Sequence, residues 1–562
     1  MLAVFALLVV LFLPIHLAGI DKVVTIDEPW WVISGSNYYY ALTHRDFANT
    51  IYDYHPAVTT TWVVTAGMLS YFPEYRGFGQ GYFDVRKPHF EEFLREHGRE
   101  AIELMRNSRW MQTGIILVML TAGYFLLQLL MGRTAAFLGI VLAMNAPFFL
   151  GQSRLLNHEA MLASFVLVSL LGMQVYVNKD RRPAYLLVSG AAFGLAQLTK
   201  SSSIVLLPLV GLMLLIDMFK PGGKTVRLRI WGGIRSLAIW ILVAGIVFVA
   251  LWPGMWVAPG RMIYEIYGNA FSYAFQGARL DVTGDLQPSN FDVTLNLVGV
   301  RSYAMIWIFL STTISWLGLI LAAVFLVFGR QDRPDKPVRS TVLYLLLQAA
   351  LFILLFGIAR GRDTSHYILT SFVCLDVAAG IGWGYLLMWL RDRWDFLDRL
   401  YLKELLALVL AGVQIAYVLP HYPYYFTYKN GLVTSVSAYG YGEGLELAAA
   451  YLADKPGAAD SRCYVYSGMG TFSFFYPGET DVLKKIYLRE QGMPSIIHDL
   501  EGADYLVLYM AVQANQPESK RLLGILEAVK PEKQIYLNGA EYVRIYKVSE
   551  IPASAYEEMS RN

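Results

Sequence analysis

The chain has 562 residues, of which 56% are hydrophobic and only 16% charged, with a mean hydropathy of +0.42. Soluble proteins carry about 25% charge, so the composition excludes an ordinary soluble enzyme and predicts a polytopic α-helical membrane protein. The net charge of +2 says less than its distribution, and two distant cysteines, Cys374 and Cys463, argue against a disulfide framework or a cysteine-built metal site.

Residues 2–20 form the first candidate span. Leu17-Ala18-Gly19 can be read as a signal-cleavage site, but the many spans that follow make a retained helix the simpler reading. Residues 21–108 are expected to be a long external loop, with 30–44 and 56–72 lying at the membrane interface and 84–109 forming a charged, solvated surface. Further spans are expected near 111–131, 134–150, 159–177, 183–198, 201–217, 233–253, 303–329, 341–357, 367–389 and 403–420, about eleven in all. If the amino terminus is cytoplasmic, the basic residues fall repeatedly on the cytoplasmic side: Lys179, Arg181 and Arg182; Lys220, Lys224, Arg227 and Arg229; Arg330, Arg333, Lys336 and Arg339; Arg391, Arg393 and Arg399. The first loop, 151–158, 199–202, 252–303, 360–366 and everything after Pro420 then face outside.

From about residue 430 the chain regains ordinary polarity. A helical stretch at 443–454, strand-like 463–466, 505–509 and 541–546, and helices near 482–490 and 518–529 predict an external α/β domain over 431–562, following a transmembrane domain over 1–430.

Several outward-facing residues have chemistry to offer. Asp27 and Glu28, followed by Pro29, Trp30 and Trp31, either cap an interfacial helix or supply a general base. His55-Pro56 is a surface turn, or it positions a phosphate or shares a divalent metal with a carboxylate. Arg154, His158 and Glu159 stand between two spans, either as a structural ion pair or as part of a site in which Glu159 approaches Asp27 and Glu28. Lys200, among Thr199 and Ser201–Ser203, either snorkels or binds a phosphate headgroup. Arg360, Arg362 and His366, ahead of Tyr367, run against the positive-inside trend, and an anionic lipid phosphate is the economical reason. Trp252–Trp256 and the loop to Tyr303 are too generic to name contacts.

These motifs, in this order, resemble the GT-C superfamily of membrane glycosyltransferases, in the branch of the protein O-mannosyltransferases and the lipid A aminoarabinose transferases. The motifs are Asp27-Glu28 in the first external loop, then His55-Pro56, Arg154 five residues before an acid, Leu198-Thr199-Lys200 and the segment from Arg360 to Tyr367. Pro423–Asn430 and Gly442–Ala449 are similar to prokaryotic members with a C-terminal external domain, and the likeness covers about residues 1–450. Two positions depart from the pattern: Glu159 stands where the family usually has Asp, and Ala57 follows His55-Pro56 where many members have a second Pro.

The resemblance implies a prokaryotic plasma-membrane enzyme that transfers a sugar, with inversion, from a polyprenyl-phosphate donor to a protein, glycolipid or polysaccharide acceptor outside the cell. It assigns Asp27 as base with Glu28 and Glu159 assisting. Lys200, Arg360, Arg362 and His366 would hold the donor phosphate, and His55, Arg154, His158 and Tyr367 would position the acceptor or headgroup. A divalent metal on Asp27, His55 and Glu159 is one option, and no nucleic-acid partner is expected. A transporter or flippase would place ionisable residues deep within spans and have related halves, and a noncatalytic cell-envelope assembly protein would work through its tail.

Overall fold

A computed structural model of the chain describes all residues except 1, 86–88, 180, 220–224, 285, 287–296, 329–335, 360–363, 395–400, 434–439, 467–469, 483–491, 513–516 and 562. Arg360, Arg362, most of the helix expected over 482–490, and Lys220, Lys224, Arg330, Arg333 and Arg399 of the basic loops lie outside the described residues. The chain divides into two compact units. The first comprises 1–18, 38–65 and 110–433; the second comprises 19–37, 66–109 and 434–562.

The helices in order are α1 (Leu2–Leu17), α2 (Glu28–Thr43), α3 (Val58–Tyr71), α4 (His89–Glu96), α5 (Ala101–Met131), α6 (Arg133–Met144), α7 (Pro147–Ser153), α8 (Glu159–Asn178), α9 (Pro183–Thr199), α10 (Leu206–Met218) and α11 (Val226–Ala250). Short helical pieces fill 254–283, and Leu297–Leu310, Thr313–Phe328, Lys336–Ile358, Leu369–Arg393 and Leu402–Val418 follow. Among the described residues seven helices are long and apolar enough to cross a membrane, or up to nine if each of two bent pairs is one span. The chain is a multi-pass membrane protein. Exposed Leu228, Trp231, Leu242 and Ile246 on α11 suit hydrocarbon and would be costly in water.

Two expected spans are broken. The segment expected over 134–150 is the pair α6 and α7, bent by 65° where Pro147 opens the second helix. The segment expected over 303–329 is two helices, with a bend of 118° between them. The break frees backbone groups that hydrocarbon cannot satisfy, and Asn430 takes them up. Its side-chain amide donates to the Ser311 carbonyl at 2.9 Å, and its backbone N–H donates to the Phe309 carbonyl at 2.9 Å. Neither break leaves a period-3.6 signature in an all-apolar run, which is why hydropathy alone reads straight through them.

Within the first unit, helices approach closely at glycines. A Cβ placed on Gly194 of α9 would sit 2.7 Å from the Ala244 carbonyl of α11, and one on Gly380 would strike the backbone at Leu138 of α6. Lipid gives helices no hydrophobic reason to associate, so close packing at small residues supplies the attraction.

In the second unit, the C-terminal residues form a five-stranded sheet of order β2-β1-β3-β5-β4, with β1 (Arg462–Tyr466), β2 (Glu479–Val482), β3 (Tyr505–Tyr509), β4 (Lys533–Leu537) and β5 (Ala540–Lys547). The pairs β1/β2 and β1/β3 are parallel; β3/β5 and β4/β5 are antiparallel. Asn538-Gly539, both at positive φ (49° and 81°), make the tight turn between β4 and β5. Alternation sends Tyr464, Tyr466, Leu506 and Leu508 to one face, against helices Met493–Leu500, Pro517–Glu527 and Ala553–Ser560. Cys463, Val465, Val507 and Tyr509 go to the other, against Leu445–Ala453. The expected α/β character is present. Strands β2 and β4 and the helices at 493–500 and 553–560 were not anticipated, being short and weakly patterned.

Candidate active site

The acidic pair of the first loop belongs to the second unit, and its two carboxylates have different surroundings. Thr25-x-x-Glu28 is a capping-box spacing, and the Thr25 N–H donates to Glu28 Oε2 at 2.8 Å. The Thr25 hydroxyl adds a bond of 3.0 Å to the same oxygen. Arg109 of α5 closes over the other side, with Nε donating to Glu28 Oε1 at 2.8 Å and a terminal nitrogen to the Val23 carbonyl at 2.7 Å. It also donates to the Ile20 carbonyl. Both side chains are buried, with 0% and 2% exposure for Glu28 and Arg109. Burying two charges is tolerable only when they are paired and fully bonded, and here they are. Asp27 remains half-buried, and its Oδ2 accepts a hydrogen bond of 2.9 Å from the Tyr441 hydroxyl.

The first unit gathers a second group. Glu159 opens α8, and its N–H donates to the Asn157 side chain at 3.1 Å, which fixes the helix start. Its carboxylate is paired with the Lys200 ammonium, and both side chains are 2% exposed. His158 Nε2 lies 3.3 Å from Glu159 Oε1, and the rings of His55 and His158 are 4.9 Å apart. Lys200 is displayed where α9 ends and a 3-10 turn, Ser201–Val205, begins. Ala57 N–H and the Thr59 hydroxyl both bond Thr199, at 3.2 and 2.8 Å, so the His55 turn and the Lys200 turn are tied together. The ammonium stands over the Tyr367 ring at 4.4 Å, and His366 is edge-on to that ring with centroids 4.6 Å apart. A cation held over an aromatic face and against a carboxylate keeps its charge in a buried place.

Arg154 is placed differently. The residue is 4% exposed, and its guanidinium donates to the carbonyls of His16 (3.0 Å), Pro423 (3.3 Å) and Ala18, while stacking 4.8 Å over Tyr425. It thus ties the end of α1 to the segment after the last long helix. Among the described residues, no three His, Cys, Asp or Glu side chains are grouped so as to hold a metal ion. The expected ligands Asp27, His55 and Glu159 are shared between the two units.

Two cavities flank the His55 turn within the first unit. One, of about 290 Å³, is lined mainly by apolar groups, among them Tyr267, Phe271, Phe275 and Phe356, and reaches Lys200, Ser201 and His55. The other, of about 280 Å³, is polar and is lined by Asp53, Arg261, Glu265, Asn269, Arg279 and Asp281, among others. Tyr54 borders both. Arg279 packs 4.6 Å over its ring, bonds the Tyr273 hydroxyl at 3.2 Å and lies 3.9 Å from Asp53. Sequence reasoning missed Arg109, Tyr441 and this Arg279 wall. Arg109 had a signal, a charge beside Trp110 at the entrance to an apolar run; Tyr441 and Arg279 had none.

Residues 104–252 match the family described as dolichyl-phosphate-mannose-protein mannosyltransferase. No curated relative matches the chain by sequence. Among solved structures, the chain is similar to ArnT from Cupriavidus metallidurans, crystallised with undecaprenyl phosphate, at 13% identity and a TM-score of 0.49, covering 96% of this chain and 97% of that one. It is also similar to the oligosaccharyltransferase AglB from Archaeoglobus fulgidus, in complex with an inhibitory peptide and a dolichol-phosphate, at 12% identity and a TM-score of 0.43, covering 90% of this chain and 69% of that one. The family match over residues 104–252 agrees with the resemblance to the protein O-mannosyltransferase branch.

Proposed function

We propose that the protein is an inverting glycosyltransferase that moves a sugar from a polyprenyl-phosphate donor to an acceptor on the outer side of a prokaryotic plasma membrane. The observation that carries this reading is the apolar cavity ending at the buried Lys200 ammonium. A long apolar tail with an anionic head matches that combination, and a phosphate is the anion that a lysine beside Ser201 and Ser202 would hold. The polar cavity across Tyr54 offers Glu265, Asn269 and Asp281 as partners for sugar hydroxyls.

In the proposed reaction, an acceptor hydroxyl or amine attacks the anomeric carbon as the bond from that carbon to the phosphate oxygen breaks. Asp27 takes the acceptor's proton, and the departing lipid phosphate keeps the electron pair and is stabilised by Lys200, with Arg360, Arg362 and His366. Glu159 keeps Lys200 charged and oriented. Glu28 holds the loop through Arg109 and so assists Asp27 without sharing its proton transfer. The chain from 431 onward is read as the external domain, for which acceptor recognition is the natural task.

The test is to offer the purified full chain a panel of isotope-labelled polyprenyl-phosphate sugars with protein, glycolipid and polysaccharide acceptors, and to weigh the products by mass spectrometry. The expected result is a sugar joined to one acceptor class with release of the lipid phosphate. Vectorial movement of the intact donor across vesicles without any product would sink the reading.

A further inference from the structure

The sequence gives the C-terminal residues no evident link to the candidate base. The second unit supplies one. We propose that Tyr441 is a positioning residue for the Asp27 carboxylate, and that buried Glu443 holds Tyr441 in place; this rests on Asp27 being the base.

Tyr441 grips the Asp27 turn twice. Its hydroxyl donates to Asp27 Oδ2 at 2.9 Å, and its backbone carbonyl accepts the Ile26 N–H at 3.1 Å. Tyr441 is 4% exposed and Asp27 half-buried, so the contact is part-buried. Around it the backbone turns sharply, with Gly440, Gly442 and Gly444 at φ of 90°, 106° and 91°. Such a turn leaves its N–H groups without helix or sheet partners, and Glu443 gathers them. The Gly440 N–H donates to Oε1 at 2.9 Å and the Tyr441 N–H to Oε2 at 2.7 Å. Tyr509, at the end of β3, donates its hydroxyl to Glu443 Oε2 at 2.9 Å and accepts the Gly442 N–H at 2.8 Å. Glu443 is fully buried, and burial pushes its carboxyl above the usual range while these donors pull it back. A Cβ on Gly442 would stand 3.2 Å from both the Ile26 nitrogen and the Val24 carbonyl, so the two turns lie backbone to backbone. The path from the sheet to the candidate base is therefore Tyr509, Glu443, the Tyr441 turn and Asp27, each step a hydrogen bond or one peptide.

A phenol donating to a carboxylate fixes its orientation and favours its charged form. Losing that donor raises the pH at which the base becomes protonated, so activity disappears at a higher pH on acidification. The other charged groups of this loop and of the turn packed on it include Lys22, Asp21 paired with Arg106 at 3.8 Å, Glu28 paired with Arg109, Glu443 itself, and buried Glu446, which accepts the Gly444 N–H at 3.1 Å.

The test uses the full chain in detergent with the donor and acceptor that the wild type accepts. Tyr441→Phe should lower kcat by about tenfold, change the donor KM less than about twofold, and move the acid limb of the kcat–pH profile up by roughly half to one pH unit. A fluorinated tyrosine at position 441, a stronger donor of the same shape, should move the limb down. Should Tyr441→Phe not fold, the fluorinated residue decides alone. An acid limb unmoved by the fluorinated residue would overturn the proposal, even if Tyr441→Phe lowers kcat. Transfer that survives Asp27→Asn would instead overturn the assignment of the base, and absence of transfer in the wild type would overturn the proposed function.

Discussion

Adjacent acids with opposite surroundings make the plainest prediction at the residue scale. Asp27→Asn should reduce transfer by about 10²–10⁴-fold, the usual contribution of a general base, while thermal stability and donor binding persist. Glu28 should behave differently, because its carboxylate is committed to Arg109 and Thr25. Arg109→Met leaves a buried carboxylate uncompensated and should cost about 3–5 kcal/mol, whereas the pair Glu28→Met/Arg109→Met should regain most of that in detergent unfolding followed by tryptophan fluorescence. Glu91, on α4, carries a pH signature of its own. It is 3% exposed, its Oε2 has no partner among the described residues, and burial pushes its carboxyl up to about 7. A raised folded pKa means that the folded state binds the extra proton. The stabilisation is complete below the ordinary carboxylate range and is lost as pH rises through about 7. Glu91→Gln should therefore leave stability at pH 4 nearly unchanged and raise it at pH 8 by at most about 3 kcal/mol, giving a flatter curve of melting temperature against pH. An unchanged slope would mean that Glu91 has a cation partner after all.

The elements divide into those whose pattern is carried by the sequence and those fixed by distant contacts. Long apolar runs announced α5, α8 and α11, and the turn residues Asn538-Gly539 lie where the chain folds back between β4 and β5. The grouping of His55, His158, Glu159 and Lys200 could be suspected from the sequence, because all four are polar residues flanking apolar runs. What was not legible depended on partners far away in sequence. Asn430 stabilises a break at Ser311, Arg154 is consumed by carbonyls at 16, 18 and 423, and Tyr441 meets Asp27 across more than 400 residues. The glycine contacts are of the same kind, since Gly194 in an apolar run looks like any other small residue until the Ala244 carbonyl is found beside it. Gly194→Val should force α9 and α11 apart and cost about 1–3 kcal/mol or more by overpacking, whereas Gly211→Ala on α10, with nothing within 4 Å of the added carbon, should be nearly neutral in the same unfolding assay.

At the scale of the whole molecule, the proposed chemistry depends on sidedness. Among the described residues, seven helices are long and apolar enough to cross, two bent pairs add up to two spans, and two apolar helices, Phe5–Leu17 and Pro183–Thr199, are shorter. Whether those short helices cross decides the parity of every loop after them. Charge offers the argument. With a cytoplasmic amino terminus and α1 and α9 both crossing, Lys179, Arg181 and Arg182 would fall inside while Lys200 and the sheet domain would fall outside. If α9 did not cross, the α8–α9 loop and Lys200 would share a side, and the basic residues of later loops would face outward. Single cysteines introduced in a Cys374→Ala/Cys463→Ser background can decide this, since both native thiols are buried and free. A cysteine at Lys179 should react with a membrane-impermeant maleimide only after the cells are permeabilised, and one at Asp460, ahead of β1, should react in intact cells. A cysteine at Ser201 should also be reached from outside, and polyprenyl phosphate added to permeabilised membranes should slow its labelling, because Ser201 lines the cavity that ends at Lys200. Labelling of positions 179 and 460 from the same side would remove the topological basis for a base and a phosphate site that meet the acceptor outside the cell.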